Sequence, residues 1–297
     1  MLTTIYHVQG AGAGGSLVTA GEVLMIVALA VIYLLGLVRA RALGAPGATV
    51  RVSSFVLGFG MLTIALVSPL SDAADRSLSA HMAQHTLLLL APLALLGGKF
   101  GVRAIQAVPV RWRGTIAVPM RSAARRATPL STFALVAGAV VFWHIPAVFE
   151  PAASDAWVHA FEHWTLLVAA GLYWGAVLGY ARSSPGLALG TLMALLMFGG
   201  AIGALLTFST RPWYPGYAER AGSEWLVDQQ LAGVIMWIPM GIVIMGLGAW
   251  VTATGLKPTS ESAKLLKKNP YPSREAGEAR GPATSVGEVR RRPASSD

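Results

Sequence analysis

Seven stretches of apolar sequence, near 17–38, 52–70, 80–97, 130–146, 157–179, 187–208 and 226–252, leave this chain few ways to fold. Each is about the 17–25 residues that a helix needs to cross roughly 30 Å of hydrocarbon. With 54% hydrophobic and 12% charged residues over 297 positions, the chain is too apolar for a soluble domain of that length. The expectation is an all-α, polytopic membrane helix bundle of seven transmembrane helices over 17–254. A short extracytoplasmic segment covers 1–16. From about 255 onward the sequence is rich in Pro, Gly, Ser and charge and cannot bury a core. Residues 255–297 are expected to form a disordered, basic cytoplasmic tail.

The basic residues orient the bundle. Arg39, Arg41 and Arg51 follow the first run, seven Lys and Arg between Lys99 and Arg126 follow the third, and Arg182 follows the fifth. With the tail, 20 of the 23 Lys and Arg fall on one face, leaving Arg76, Arg211 and Arg220 on the other. By the positive-inside rule the crowded face is cytoplasmic, the N-terminus is outside and the C-terminus inside, in a multi-pass membrane protein. The net charge of +9 is explained by this topology and by anionic lipid headgroups, not by nucleic acid. No Lys or Arg precedes Arg39, so the first run lacks the basic start of a cleaved signal and is expected to be retained. The 98–129 connection, with Arg111, Trp112, Arg113, Arg125 and Arg126, has the makings of an interfacial amphipathic helix.

In this topology five of the six histidines reach the outer leaflet. His81 and His85 open the third run, His159 and His163 open the fifth, and His144 closes the fourth. Each H-x-x-x-H pair spans one helical turn, so both rings project from one face with Cβ atoms about 5–6 Å apart. One such pair is a weak signal, but two pairs and His144 at one depth make a metal or haem site the stronger reading. The chain has no cysteine, which excludes disulfides, thiolate sites and CxxC redox chemistry. Neutral imidazoles favour Cu, Zn or Fe over Mg or Ca.

Glu162, between the fifth-run histidines, and Asp228, opening the seventh run, are expected to accept the second ring N–H of ligating histidines. Glu22 reads as a first-turn acid favoured by the helix dipole. Met82 and Met236 could add thioether ligands to Cu(I), although most of the methionines in so apolar a chain serve packing. Trp143, Trp157, Trp164, Trp213, Tyr214, Tyr217 and Trp225 lie where an interfacial aromatic belt is expected. His7, in a Gly-rich segment, is assigned no role.

Four strings carry a family resemblance: HMAQHTLLLLAPLALLGG (81–98), FWHIPAVFEPAASDAWVHAFEHWTLLVAAGLYWGAVLG (142–179), GALLTFSTRPWYPGYA (203–218) and DQQLAGVIMWIP (228–239). With W-H-x-P, E-H-x10-W, Y-P-x-Y-A and D-Q-Q-x-A-G-x-x-M-W in order, the chain resembles the CtaG-type cytochrome c oxidase assembly factors of bacterial membranes over roughly 50–255. The departure is LLGGKF, where a proline is expected after the glycine. The resemblance implies a non-enzymatic role in copper loading of a haem-copper oxidase, with His81, His85, His144, His159 and His163 as candidate ligands and Asp228 as the acid of D-Q-Q. It also implies an oxidase subunit as partner, with an extracytoplasmic copper donor possible. Two alternatives stay open: a membrane zinc hydrolase with Glu162 as general base, and a b-type haem protein with one axial histidine from each of the third and fifth runs.

Overall fold

The computed structural model describes residues 13–42, 44, 48–97 and 127–255. All regular structure among them is helical: α1 (Ala13–Ala42), α2 (Ala48–Val67), α3 (Pro69–Ala74), α4 (Leu78–Gly97), α5 (Pro129–His144), α6 (Pro146–Ala152), α7 (Ala156–Tyr180), α8 (Pro185–Phe208), α9 (Pro215–Ala221) and α10 (Trp225–Gly255). A 3-10 turn, Gly222–Glu224, joins α9 to α10. The expected interfacial helix of the 98–129 connection falls almost wholly outside the described residues, as do His7 and residues 256–297.

Four stretches are long and apolar enough to cross a membrane: Leu17–Arg39, Leu78–Gly97, Pro185–Phe208 and Pro215–Gly255. A helix suits that setting because it satisfies its own backbone amides where no water is present. Helix α7 has the length, at 25 residues, but His159, Glu162 and His163 make it less apolar. Helices α5 and α6 together form a broken apolar segment bent by 77°, and Val52–Val67 is a shorter apolar helix.

Two of the apolar runs extend past a break that hydrophobicity does not reveal. The run at 52–70 crosses Ser68, whose extended backbone and side-chain bond from Leu70 N cap α3, with Pro69 in its first turn. The run at 130–146 crosses Ile145, extended at φ −67°, ψ 121°, because a residue before proline is disfavoured in the helical region. Pro146 then opens α6 in the new direction.

Helix α4 lies among α2, α7 and α10. One apolar core joins α4, α5, α7, α8 and α10 through residues such as Trp174, Leu192 and Ile244, and a second joins α1, α2 and α4 through Tyr33, Leu62 and Leu88. Trp174 donates its indole N–H to Leu89 O at 2.7 Å, tying α7 to α4. Helices α8 and α10 approach closely at Gly203 and Gly233, where an added Cβ would collide with the facing helix, the small-residue packing common between membrane helices. Leu24, Met197 and Phe208 point outward, each at least 70% exposed.

Candidate metal centre

At one end of the bundle, the starts of α4, α7 and α10 meet the end of α5. The first turn of α4 is held by Asp228 of α10, which accepts hydrogen bonds from Ser77 Oγ (2.7 Å), Leu78 N (2.7 Å), Ser79 N (3.1 Å) and Ser79 Oγ (2.6 Å). This satisfies amides that a helix N-terminus leaves without partners and fixes the turn from which His81 and His85 project. Helix α5 ends at His144, whose carbonyl accepts from Tyr214 Oη at 3.0 Å. Helix α7 starts at the Asp155 cap, which accepts from Trp157 N and Val158 N.

These supports place His81, His85, His144, His159 and His163 around Glu162. Glu162 has no exposed surface, and all of the histidines but the half-buried His159 are buried. Glu162 Oε1 lies 3.4 Å from His85 Nε2 and Oε2 lies 3.9 Å from His81 Nε2. These three groups can offer ligand atoms all within 4.8 Å of one another. Ring centroids are 4.4 Å apart for His81 and His85, 6.1 Å for His85 and His144, 5.9 Å for His85 and His163, and 5.0 Å for the stacked His81 and His159. Seven imidazole nitrogens and both Glu162 oxygens are buried without a hydrogen-bond partner among the described residues. Native proteins rarely leave polar atoms in that state unless something else fills the role.

Two tautomers follow from the bonding. Tyr217 Oη donates its single proton to Ala74 O at 2.7 Å, since a carbonyl only accepts. His81 Nδ1, 2.9 Å from the same hydroxyl, must therefore donate to it, leaving a lone pair on Nε2. His144 Nδ1, 2.7 Å from Val140 O, donates for the same reason, and its Nε2 also carries a lone pair. A fixed N–H on one side of the ring and a free lone pair on the other is the state of a metal-ligating imidazole. At Glu162 the consequence is direct: the His81 Nε2 lone pair and the Glu162 carboxyl oxygen 3.9 Å away are too far apart to hydrogen-bond, and both stay without a partner in a buried site. A cation bound between the two groups would satisfy both.

Other candidate residues lie elsewhere. Both Asp228 oxygens are engaged by the start of α4. Met82 is fully buried and Met236 partly so in an apolar cluster with Leu78, Phe149, Leu206, Tyr214 and Tyr217. Trp157 and Trp164 are exposed, but Trp143, Tyr214 and Tyr217 are buried. Tyr217 orients the His81 ring and Tyr214 holds the His144 backbone carbonyl, so both turn inward instead of joining an interfacial belt. Trp143 donates to Thr165 Oγ1 at 2.7 Å, and Thr165 donates to Glu162 O at 2.8 Å.

Glu22 requires a correction. Helix α1 starts at Ala13 and has no acidic residue in its first turn, so a helix-dipole role at the N-terminus does not apply. Glu22 instead faces inward, buried, with Oε1 3.6 Å from His163 Nδ1. Both line a cleft of about 110 Å³ together with Asp72, Asp75, Asp155 and His159. Loss of solvation, with Asp72 close by, holds the Asp75 carboxyl above the usual carboxylate range against the pull of Arg76 and Arg220.

The fold and site together define an all-helical protein of membrane character whose buried histidine–glutamate group is able to hold a metal ion. Residues 31–257 match the cytochrome c oxidase caa3 assembly factor family (Caa3_CtaG). The chain belongs to that family. It is also similar to uncharacterized protein ML1998 of Mycobacterium leprae (strain TN), 26% identical over 246 residues, which cover 75% of this chain and 37% of that protein. The chain thus spans little more than a third of that relative's length. No solved structure matches the chain significantly.

Proposed function

We propose that this protein binds copper as cargo at the buried histidine–glutamate group and delivers it to a haem-copper oxidase subunit during assembly. In this reading the chain crosses the bacterial plasma membrane seven times, N-terminus outside and C-terminus in the cytoplasm, and the histidine end faces the extracytoplasmic side. His81, His85 and Glu162 hold the ion, with His144 and His163 completing the set as it moves. Copper comes from an extracytoplasmic donor and leaves by ligand exchange.

The supporting observation is that His81 Nε2 and Glu162 Oε2, 3.9 Å apart, are both buried without a hydrogen-bond partner, with the His81 proton committed to Tyr217. Nitrogen donors with a carboxylate suit a copper-like cation better than Mg or Ca. Family membership supplies the oxidase as destination. Imidazole centroids packed 4.2–6.1 Å apart leave no slot for a porphyrin, which favours a bare ion over haem. Glu162 has no exposed surface, which favours holding an ion over acting as base on a substrate.

Metal analysis of detergent-purified full-length protein, loaded with Cu(II) and desalted, tests this reading. The wild type is expected to retain a copper equivalent that H85A and E162Q each lose, and cells carrying H85A are expected to assemble a copper-deficient oxidase. Undiminished copper in both variants would remove the ligand assignment. Zinc in the protein as isolated, together with hydrolytic turnover, would replace copper delivery with zinc catalysis.

A further inference from the structure

The cleft beside α1 is left unexplained by the deep group. We infer that it holds a second, shallower cation site, built from Glu22 and His163, where a transition-metal ion is captured before it reaches His81, His85 and Glu162. The inference rests on the reading of the deep group as a metal site and adds the route by which that group is filled.

Glu22 and His163 are 8% and 5% exposed, yet both line the cleft. Both His163 ring nitrogens lack a hydrogen-bond partner among the described residues, so a buried, unsatisfied imidazole is aimed into this space. Glu22 Oε1 and His163 Nδ1 are 3.6 Å apart. Two ligands at about 2.1 Å from one tetrahedral ion lie about 3.4 Å apart, so an ion bridging this pair demands little movement. A volume of about 110 Å³ holds about three to four waters at roughly 30 Å³ each, enough for an ion keeping part of its hydration shell.

The charged side chains that line the cleft have one sign, although Arg76 and Arg220 act on Asp75 from outside the lining. Asp72, Asp75 and Asp155 line it with Glu22, and no Lys or Arg does so among the described residues. A cleft lined by one sign of charge focuses the field and raises the on-rate of the opposite ion by about 10- to 1,000-fold. An imidazole and a carboxylate select a borderline transition-metal cation such as Cu(II) or Zn(II) over the alkali ions.

The route inward is continuous. His159 lies with its ring centroid 4.2 Å from that of His163 and stacks on His81 at 5.0 Å and 21°. As the ion advances, its bonds to Glu22 and His163 break and bonds to the deeper imidazoles form. Those rings accept it on lone pairs, so its oxidation state is unchanged. Of the two residues, His163 lies within residues 31–257 that match the family and Glu22 lies outside them.

The test titrates Cu(II) sulfate into the detergent-purified full-length protein against a chromophoric chelator and follows loading by stopped flow. The wild type should bind two classes of copper. E22Q should lose the shallower one, keep the class that H85A removes, and load it about tenfold more slowly. H85A should keep the Glu22-dependent class. The double variant D72N/D75N should keep both classes but load more slowly, with a flattened dependence on ionic strength. A single class, removed by H85A and loaded by E22Q at the wild-type rate, overturns the inference while leaving the deep site in place. A Glu22-dependent class beside H85A and E162Q variants that bind like wild type supports the cleft and removes the deep site. A wild type that binds no copper overturns both.

Discussion

Replacing Glu162 with methionine separates the folding role of this residue from its role in binding. Both carboxyl oxygens are buried without a donor, and leaving a buried polar group unsatisfied costs about 1–3 kcal/mol. Methionine has a similar length and adapts to irregular packing. In the presence of chelator E162M should therefore be more stable than wild type by about 2 kcal/mol, or roughly 4–8 °C at about 2–4 °C per kcal/mol for a chain of this size. Copper reverses the comparison of increments. At a hundredfold excess over Kd a ligand that binds only the folded state adds about 2.7 kcal/mol, whereas a hundredfold weaker site gains about 0.4 kcal/mol at the same concentration. Thermal unfolding in detergent, followed with chelator and with Cu(II), measures both differences. A variant less stable than wild type in chelator, and still stabilised fully by copper, would show that Glu162 is structural and refute the reasoning.

Three further outcomes are expected. Y217F removes the hydroxyl joining Ala74 O to His81 Nδ1, so copper affinity should fall about 10- to 100-fold in a chelator-competition titration, with a stability loss of about 1–3 kcal/mol. D228A strips the start of α4 of its acceptor and should lower stability by about 2 kcal/mol, near the top of the range for helix caps, with D228N milder because one acceptor oxygen remains. G233V forces a branched side chain against Thr207 and Gly203 and should lower stability by about 1–3 kcal/mol through overpacking, read as a lower unfolding temperature with unchanged copper stoichiometry in the folded fraction.

The sequence makes the helices legible through length and hydrophobicity but hides the breaks at Ser68 and Ile145, which depend on capping and on proline sterics. The i,i+4 histidine pairs are visible because helical spacing alone puts both rings of a pair on one face. Glu22 is not, because its meaning depends on where α1 starts and on which helix it faces. The apolar run begins near Leu17, whereas hydrogen-bonded helix begins at Ala13. Tyr214 and Tyr217 escape notice for another reason: an aromatic near a membrane boundary has the same sequence appearance whether it meets lipid or turns inward to bond the backbone or ring of a histidine. Asp228 is recognisable as a polar residue opening a helix, but its partners, Ser77 and Ser79, lie about 150 positions away.

The inward placement of Glu22 bears on how the protein is made. Before α1 docks, its apolar stretch Leu17–Arg39 carries an acid facing lipid, at a cost of up to about 2.5–3.5 kcal/mol for an acidic residue at a helix centre and less toward the interface. Docking against α7 withdraws that acid from lipid and builds the wall of the cleft in the same step. A newly inserted chain therefore gains the Glu22 wall of its cleft only when α1 finds its place, so the packing of α1 and the completion of the cleft are one event.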